Sequence, residues 1–308
     1  MDVLLQQHQQ QQAAMLSILP PSTTLPNVLT AAAHLHLLSF ALTLVLPLIT
    51  LLYIHRDYQA FLSLGPGGTP STPLGYAKIK LLSLICLRHP RRPVAVPPHF
   101  RPQKGYLPAL RTRPGERPVV QGIAPQRQQT QRSSEEIYRG LVGAMRRLIG
   151  EPANCLLERT SCFEKHSSGI FASTPITRTC GGEVCHAHPS DGSLHMTLHP
   201  ADAKIVLESG WGERHPLARG GWCRRFVPRE FVLIYAPRNE QEIEVVMRII
   251  AAGVWWVAGI DVHKDGRDRR DSGADAEAPL SAQAETECHA CRVHGCGRKS
   301  VEKMTGDA

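Results

Sequence analysis

No lysine or arginine occurs before Arg56, although the chain carries 35 such residues among 308 and a net charge of +8. Basic charge is therefore confined to one side of the apolar run Leu37–Ile54, which contains no charged residue in eighteen positions. That length suits a membrane-crossing helix, and the charge asymmetry places the C-terminal bulk of the chain on the cytosolic side. Without a basic lead before the run, and with a long stretch ahead of it, a cleaved signal peptide does not fit. Other absences narrow the function. There is no P-loop, no dinucleotide-binding fingerprint, no nucleophile elbow and no internal repeat, so phosphate-cradling and serine-hydrolase chemistries have no foothold. The nine cysteines are odd in number and irregularly spaced, which excludes a secreted disulfide framework and reads as mainly reduced thiols. Aromatic residues are only 6% of the chain and are not interleaved with the basic run from 88 to 132, so nucleic-acid binding is not expected. An anionic membrane surface accounts for that charge.

The organisation comes from composition. Residues 1–30 are Gln-rich and then Ser/Thr/Pro-rich and are expected to be disordered. Residues 31–55 are the expected transmembrane helix, with Pro47 a source of a kink. Residues 56–132 form a membrane-proximal, extended wrapping segment; within it Ile79–Leu87 is apolar but too short to span, fitting either a membrane interface or the domain core. Residues 133–258 form the main domain, and 259–308 a charged, Ala/Gly-rich tail expected to be disordered. In that tail Cys288, Cys291, His294 and Cys296 give a C-x2-C with spacing too short for a standard zinc module. The predicted fold class is α+β: a small, mainly antiparallel sheet with packed helices, preceded by the one transmembrane helix. Ser133 and Glu136 suggest a helix start, with Ile137, Leu141, Ala144, Met145 and Leu148 on its apolar face. Gly169–Thr174 reads as a strand. Asn239 and Glu242 open a last helix with the stripe Ile243, Val246, Met247 and Ile250. After it stand Trp255 and Trp256, which fit a pocket wall or a core.

The densest chemistry lies between Glu183 and Arg238. Glu183–His188 and Ser193–His199 read as strands around the turn Pro189-Ser190-Asp191-Gly192. If those four residues are the whole loop, His188 faces Ser193 and His186 faces His195. Period-two alternation then crowds His186, His188 and His195 on one face, with His199 farther along it. Such a trio can bind Zn, Fe or Cu, move protons near neutral pH or polarise an oxyanion. A helix over Ala201–Ser209 leads into the loop Gly210–Ala218, where Trp211 offers a flat ring, Glu213 a candidate base, Arg214 a fixed cation and His215 a fourth imidazole. Phe231–Tyr235 reads as a buried strand, and Arg238 leaves it at a helix start suited to anion contact.

The stretches HAHPSDGSLHMTL, GWGERHPLA and LIYAPRNEQE resemble the fungal luciferase family and the wider luciferase-like domain; so do Arg56-Asp57-Tyr58-Gln59 with Phe61 and Gly65-Pro66, and Gly115–Pro118 running to Gln126-Arg127-Gln128. The resemblance covers about residues 37–258. It implies a membrane-associated oxygenase that uses molecular oxygen on 3-hydroxyhispidin, a catechol-bearing pyrone, through a decarboxylating peroxide and without an organic redox cofactor. Carried to this chain, the implied catalytic residues are His186, His188, His195, Glu213, Arg214 and His215. As a working mechanism, Trp211 and Tyr235 would wall the substrate ring, and Arg214 and Arg238 would hold its enolate. A metal at His186, His188 and His195 is the alternative, and a non-catalytic ligand-binding domain is a further one. The turn Pro189–Gly192 is shorter than in luminous members, and Gly220–Arg229 is richer in arginine, so a non-luminous relative is expected.

Overall fold

The computed structural model describes residues 25–93, 95–98 and 100–262. The expected disordered residues up to 24, most of the expected disordered tail and the cysteines of its C-x2-C lie outside them. The chain divides into two units, residues 1–60 and 61–308.

In the first unit α1 (Leu25–Phe40) runs through a π-helical segment (Ala41–Val45) into α2 (Leu46–Ser63). The π segment has a local cause. Pro47 lacks an N–H and its ring crowds the carbonyl four residues earlier, at Thr43, and widening the turn there relieves the clash. The helix runs on to Ser63, eight residues beyond the expected end at 55, past Arg56 and Asp57, and its apolar part contains an eighteen-residue window free enough of charge to cross a membrane. The side chains of that part are exposed, Leu35 at 70% and Leu51 at 63% among them.

The second unit is built on one six-stranded antiparallel sheet: β3 (Leu156–Thr160), β4 (Ser168–Ala172), β5 (Glu183–Ala187), β6 (Leu194–Thr197), β7 (Gly212–Arg214) and β8 (Phe231–Ile234), in the order β3-β4-β5-β6-β8-β7. Before it come α3 (Pro73–Ser83) and a small hairpin of β1 (Val120–Gly122) and β2 (Gln126–Gln128). The α+β class of the second unit is as the sequence predicts. The helices are α4 (Glu135–Gly150), α5 (Pro200–Glu208) and α6 (Glu240–Ala258). α4 starts one residue later than expected: Ser134 is the cap, its Oγ accepting from Ile137 N at 3.2 Å. Ser133 instead donates to the Pro237 carbonyl. Asn239 caps α6 as expected, accepting from Glu242 N at 2.9 Å.

Alternation gives the sheet two unlike faces. One is apolar: Ala187, Leu194, Met196, Val232 and Ile234 pack against α4 and α6 through Leu141, Met145, Val246, Ile249 and Ile250. Each such fully buried aliphatic contributes about 1.5–3 kcal/mol. α6 comes so close that a Cβ on Gly253 would lie 2.8 Å from Met196 Cε and 3.1 Å from Val184 Cγ1. The other face carries the histidines. It is covered by parts of the segment before 132, Leu82, Ile85, Ile123, Gln126 and Gln128 among them, together with Phe163, Leu217, Val227 and Phe226. The short apolar run is divided: Ile79 is buried, and Leu82 and Ile85 pack into this cover, while Leu81 and Leu84 are 69% and 80% exposed.

Candidate functional site

The hairpin register is the one that the four-residue turn requires. His186 pairs with His195, and the His188 N–H donates to the Ser193 carbonyl. The row continues from His195 to Leu233 of β8 and from Leu233 to Glu213 of β7. His186, His195 and Glu213 therefore share a face, and His188 joins them two residues along. The rings of His186, His188 and His195 have centroids 4.7–5.4 Å apart, and one ring nitrogen from each lies within 4.8 Å of the others. His215 adds a fourth ring, 5.3 Å from His195. All four are at most 4% exposed. Phe231 stacks on His195 at 5.2 Å, and Phe163 lies over His186 at 6.4 Å.

The partners around the trio fix its tautomers. Carboxylates only accept, so His186 Nδ1–H donates to Glu183 Oε1 at 2.6 Å. Glu183 is held in turn by Ser161 Oγ and Cys162 N. Ser193 Oγ donates to Asp191 Oδ1 at 2.7 Å, leaving its lone pairs to accept from His188 Nδ1–H at 2.9 Å. The Gln126 amide nitrogen faces Glu213 Oε1, so its oxygen faces His195 and accepts from Nε2–H at 2.9 Å. His186 Nε2 and His188 Nε2 are left buried with no hydrogen-bond partner. Burial, then the neighbouring imidazoles, pushes His195 well below the usual histidine range. Burial also lowers His188, against the pull of Asp191. Asp191 itself is lowered: burial opposes this, but the bonds from His188 and Ser193 outweigh it.

Beside the trio, Tyr235 donates to Glu213 Oε2 at 3.0 Å, and the half-exposed Arg91 reaches the same oxygen at 3.3 Å. Burial, then the Glu213 charge, raises the Tyr235 phenol and keeps it protonated.

The other expected site residues are placed differently. Gly212–Arg214 is an edge strand, not loop, so Arg214 points to the face opposite Glu213. Its guanidinium donates to the Ala218 carbonyl, and it lines a small depression with Pro200, Lys204, Leu207 and Arg229. Trp211 is a core residue, 2% exposed; its indole N–H donates to the Arg111 carbonyl at 2.7 Å, and the Arg113 guanidinium lies over its ring. It offers no open stacking surface. Arg238 is saturated by Glu242, the Pro114 carbonyl and Gln131. His215 Nδ1 accepts from Leu217 N at 3.1 Å, and the Ile123 backbone beside the ring favours its charged form against the larger effect of burial. His199 leaves the sheet to cap α5, accepting from Ala201 N and donating to the Pro102 carbonyl. Trp256 packs edge-on to it at 4.9 Å, so that tryptophan pair belongs to this corner.

Residues that the motifs did not single out complete the site: Glu183, Asp191 and Ser193 on the hairpin, and Gln126 from the cover. Arg127 sits beside them, ion-paired to buried Glu164. The signal for Gln126 was present in the Gln126-Arg127-Gln128 resemblance; nothing marked it as a histidine partner.

An antiparallel sheet with one helix-covered face and one buried polyhistidine face defines a small α+β domain with a histidine cluster at its centre. The Luciferase domain model matches residues 181–253, which include all four histidines. The chain is 34% identical over 224 residues to a luciferase of Armillaria mellea, covering 67% of this chain and 82% of that protein. It is 34% identical over 220 residues to a luciferase of Neonothopanus nambi, covering 66% and 81% respectively. The chain belongs to the fungal luciferase family. No solved structure matches it.

Proposed function

We propose that this protein is a single-pass, membrane-anchored oxygenase of the luciferase type, acting with molecular oxygen on a small phenolic or hydroxypyrone substrate and using no organic redox cofactor. The observation that carries the reading is the buried face of His186, His188 and His195 in a chain belonging to a family of luciferases. The unpartnered Nε2 atoms of His186 and His188 are the available proton acceptors. Either takes the acidic hydroxyl proton of an electron-rich ring; the resulting anion gives an electron to oxygen, and a carbon–oxygen bond forms on recombination. The Tyr235 hydroxyl lies next to that site with its one hydrogen committed to Glu213. The apolar helix supplies the anchor, and the absence of basic residues before Arg56 supports a cytosolic domain. The exposed Leu74, Leu81 and Leu84 near Lys78 and Lys80 suit a membrane surface that concentrates apolar substrates.

The test is oxygen uptake by the full chain in detergent or vesicles with a panel of hydroxypyrones and catechols, read by mass and by luminescence. Uptake that falls in His186→Ala and His188→Ala, with folding preserved, supports the reading; darkness during uptake identifies a non-luminous oxygenase. Saturable binding of these compounds without oxygen consumption would make the domain a tethered ligand-binding protein instead.

A further inference from the structure

We propose that His186, His188 and His195 form a resident site for one divalent first-row transition metal ion. This deepens the oxygenase reading at the same centre: with a metal in place the two Nε2 atoms would be ligands rather than bases, and the ion would supply the acidification of the substrate hydroxyl in their stead; the proposal rests on that reading only for this use of the metal. The donor set is three neutral imidazoles, which suits iron, copper or zinc and does not suit magnesium or calcium. Each ring has its outward nitrogen spoken for, by Glu183, by Ser193 backed by Asp191, and by Gln126. That is the outer-shell arrangement that fixes a metal-binding histidine's tautomer and aims its other nitrogen inward. The inward nitrogens of His186 and His188 are buried and unpartnered. A buried unsatisfied nitrogen costs about 1–3 kcal/mol, so two side by side need a ligand to account for them.

The metric fit is close. Metal–nitrogen bonds of about 2.1 Å place donors about 3–3.4 Å apart. The three nitrogens here lie within 4.8 Å of one another, so small side-chain rotations close the set. Two carboxylates, Glu183 bonded to His186 and Asp191 bonded through Ser193 to His188, stand behind the three neutral rings and balance a divalent charge. Three protein ligands leave coordination positions open, as in catalytic metal sites. Phe163 and Phe231 wall the rings and keep competing polar groups away.

The experiment is metal analysis of the full chain purified in detergent without chelator, and then stripping and titration with Fe(II) under anaerobic conditions, Cu(II), Zn(II) and Co(II). About one metal per chain, a visible cobalt spectrum of nitrogen ligation and a rise in Tm are expected. The stoichiometry should be lost in His188→Ala and retained in His166→Ala, whose histidine is exposed. Because the alanine variant could fail to fold, Glu183→Gln is the second test; it should weaken cobalt affinity by about 10–100-fold while leaving the far-UV circular dichroism unchanged. Failure of the wild type to take up any of the four metals overturns the proposal. So does stoichiometric binding that persists in His188→Ala, which would assign the metal elsewhere, the Cys288/Cys291 tail included. Oxygen uptake by metal-free protein removes the metal and leaves the oxygenase; metal binding without uptake of oxygen by any substrate does the reverse.

Discussion

His215 offers a clean measure of how completely the histidine face is shut from water. Its Nδ1 accepts from Leu217 N at 3.1 Å, and the ring is buried at 4% exposure. It packs between His195 and Phe231, with centroids at 5.3 and 5.6 Å. Burial, with smaller contributions from His186 and His188, lowers it from 6.5 to about 4. The folded-state value is depressed, so the stability contribution is full above the unfolded value, near 6.5, and is lost as pH falls towards the folded value near 4. The loss over that window is about 3 kcal/mol, with a slope approaching 1.4 kcal/mol per pH unit. In His215→Asn the Oδ1 can replace Nδ1 as acceptor for Leu217 N. The variant should be less stable at pH 7.5 by about 1–2 kcal/mol, from lost packing. Between pH 7.5 and 4.5, however, it should lose about 2.5 kcal/mol less stability than the wild type. Urea unfolding across that range gives both numbers, and contributions from histidines distant from His215 cancel in the difference. Parallel pH profiles for the two proteins would refute the claim that this ring is held neutral.

Arg238→Ala should cost about 1 kcal/mol by releasing Glu242, and should leave the KM of any oxygen-consuming substrate unchanged; a raised KM at constant stability would restore it as an anion clamp. Trp211→Phe keeps the buried ring but loses the bond to the Arg111 carbonyl, so the urea midpoint should drop by the equivalent of about 1 kcal/mol with turnover intact. Gly253→Val should destabilise by about 1–3 kcal/mol through the helix–sheet contact. Gly253→Ala should cost less, since the nearest atom is the movable end of Met196; equal costs would show that the helix backbone itself shifts.

The histidine hairpin was legible because parity and a four-residue turn determine everything about it: once Pro189–Gly192 is the whole loop, three rings must share a face. α6 was legible from its cap and stripe for the same reason, since local spacing suffices. The strand over Gly212–Arg214 was not. Three residues opening on a glycine carry no period, and reading them as loop put Glu213 and Arg214 in one place when pairing with β8 sends them to opposite faces. Trp211 and Arg238 were misplaced because their partners, Arg111, Arg113 and Gln131, come from about 100 residues away in the cover. Gln126 was hidden likewise, as its bond to His195 spans 69 positions. β3 is an edge strand, Leu156–Thr160, whose residues from Glu158 to Thr160 are exposed, so burial left no alternating signature.

The parity that gathers the histidines also decides where a substrate can enter. The cavity of about 460 Å3 is lined by Tyr138, Val142, Arg146, Ile170, Ala187 and Pro189 among others. Ala187 lies between His186 and His188 on β5 and therefore projects to the opposite face. A ligand seated there would be separated from the imidazoles by the thickness of the sheet, on the side where α4 packs. A ring-sized substrate must reach the trio from the other side, where Gln126, Phe163 and the hairpin of β1 and β2 now lie. The sheet is tied by its ladder and by the α4 and α6 core, whereas the cover is held by scattered bonds such as Gln126 to His195 and Gln128 N to Asp191 Oδ2. Local opening draws on the part of a fold with the fewest cooperative contacts. On the proposed reading, the opening that admits a ring-sized substrate is therefore expected in this cover rather than in the sheet beneath it.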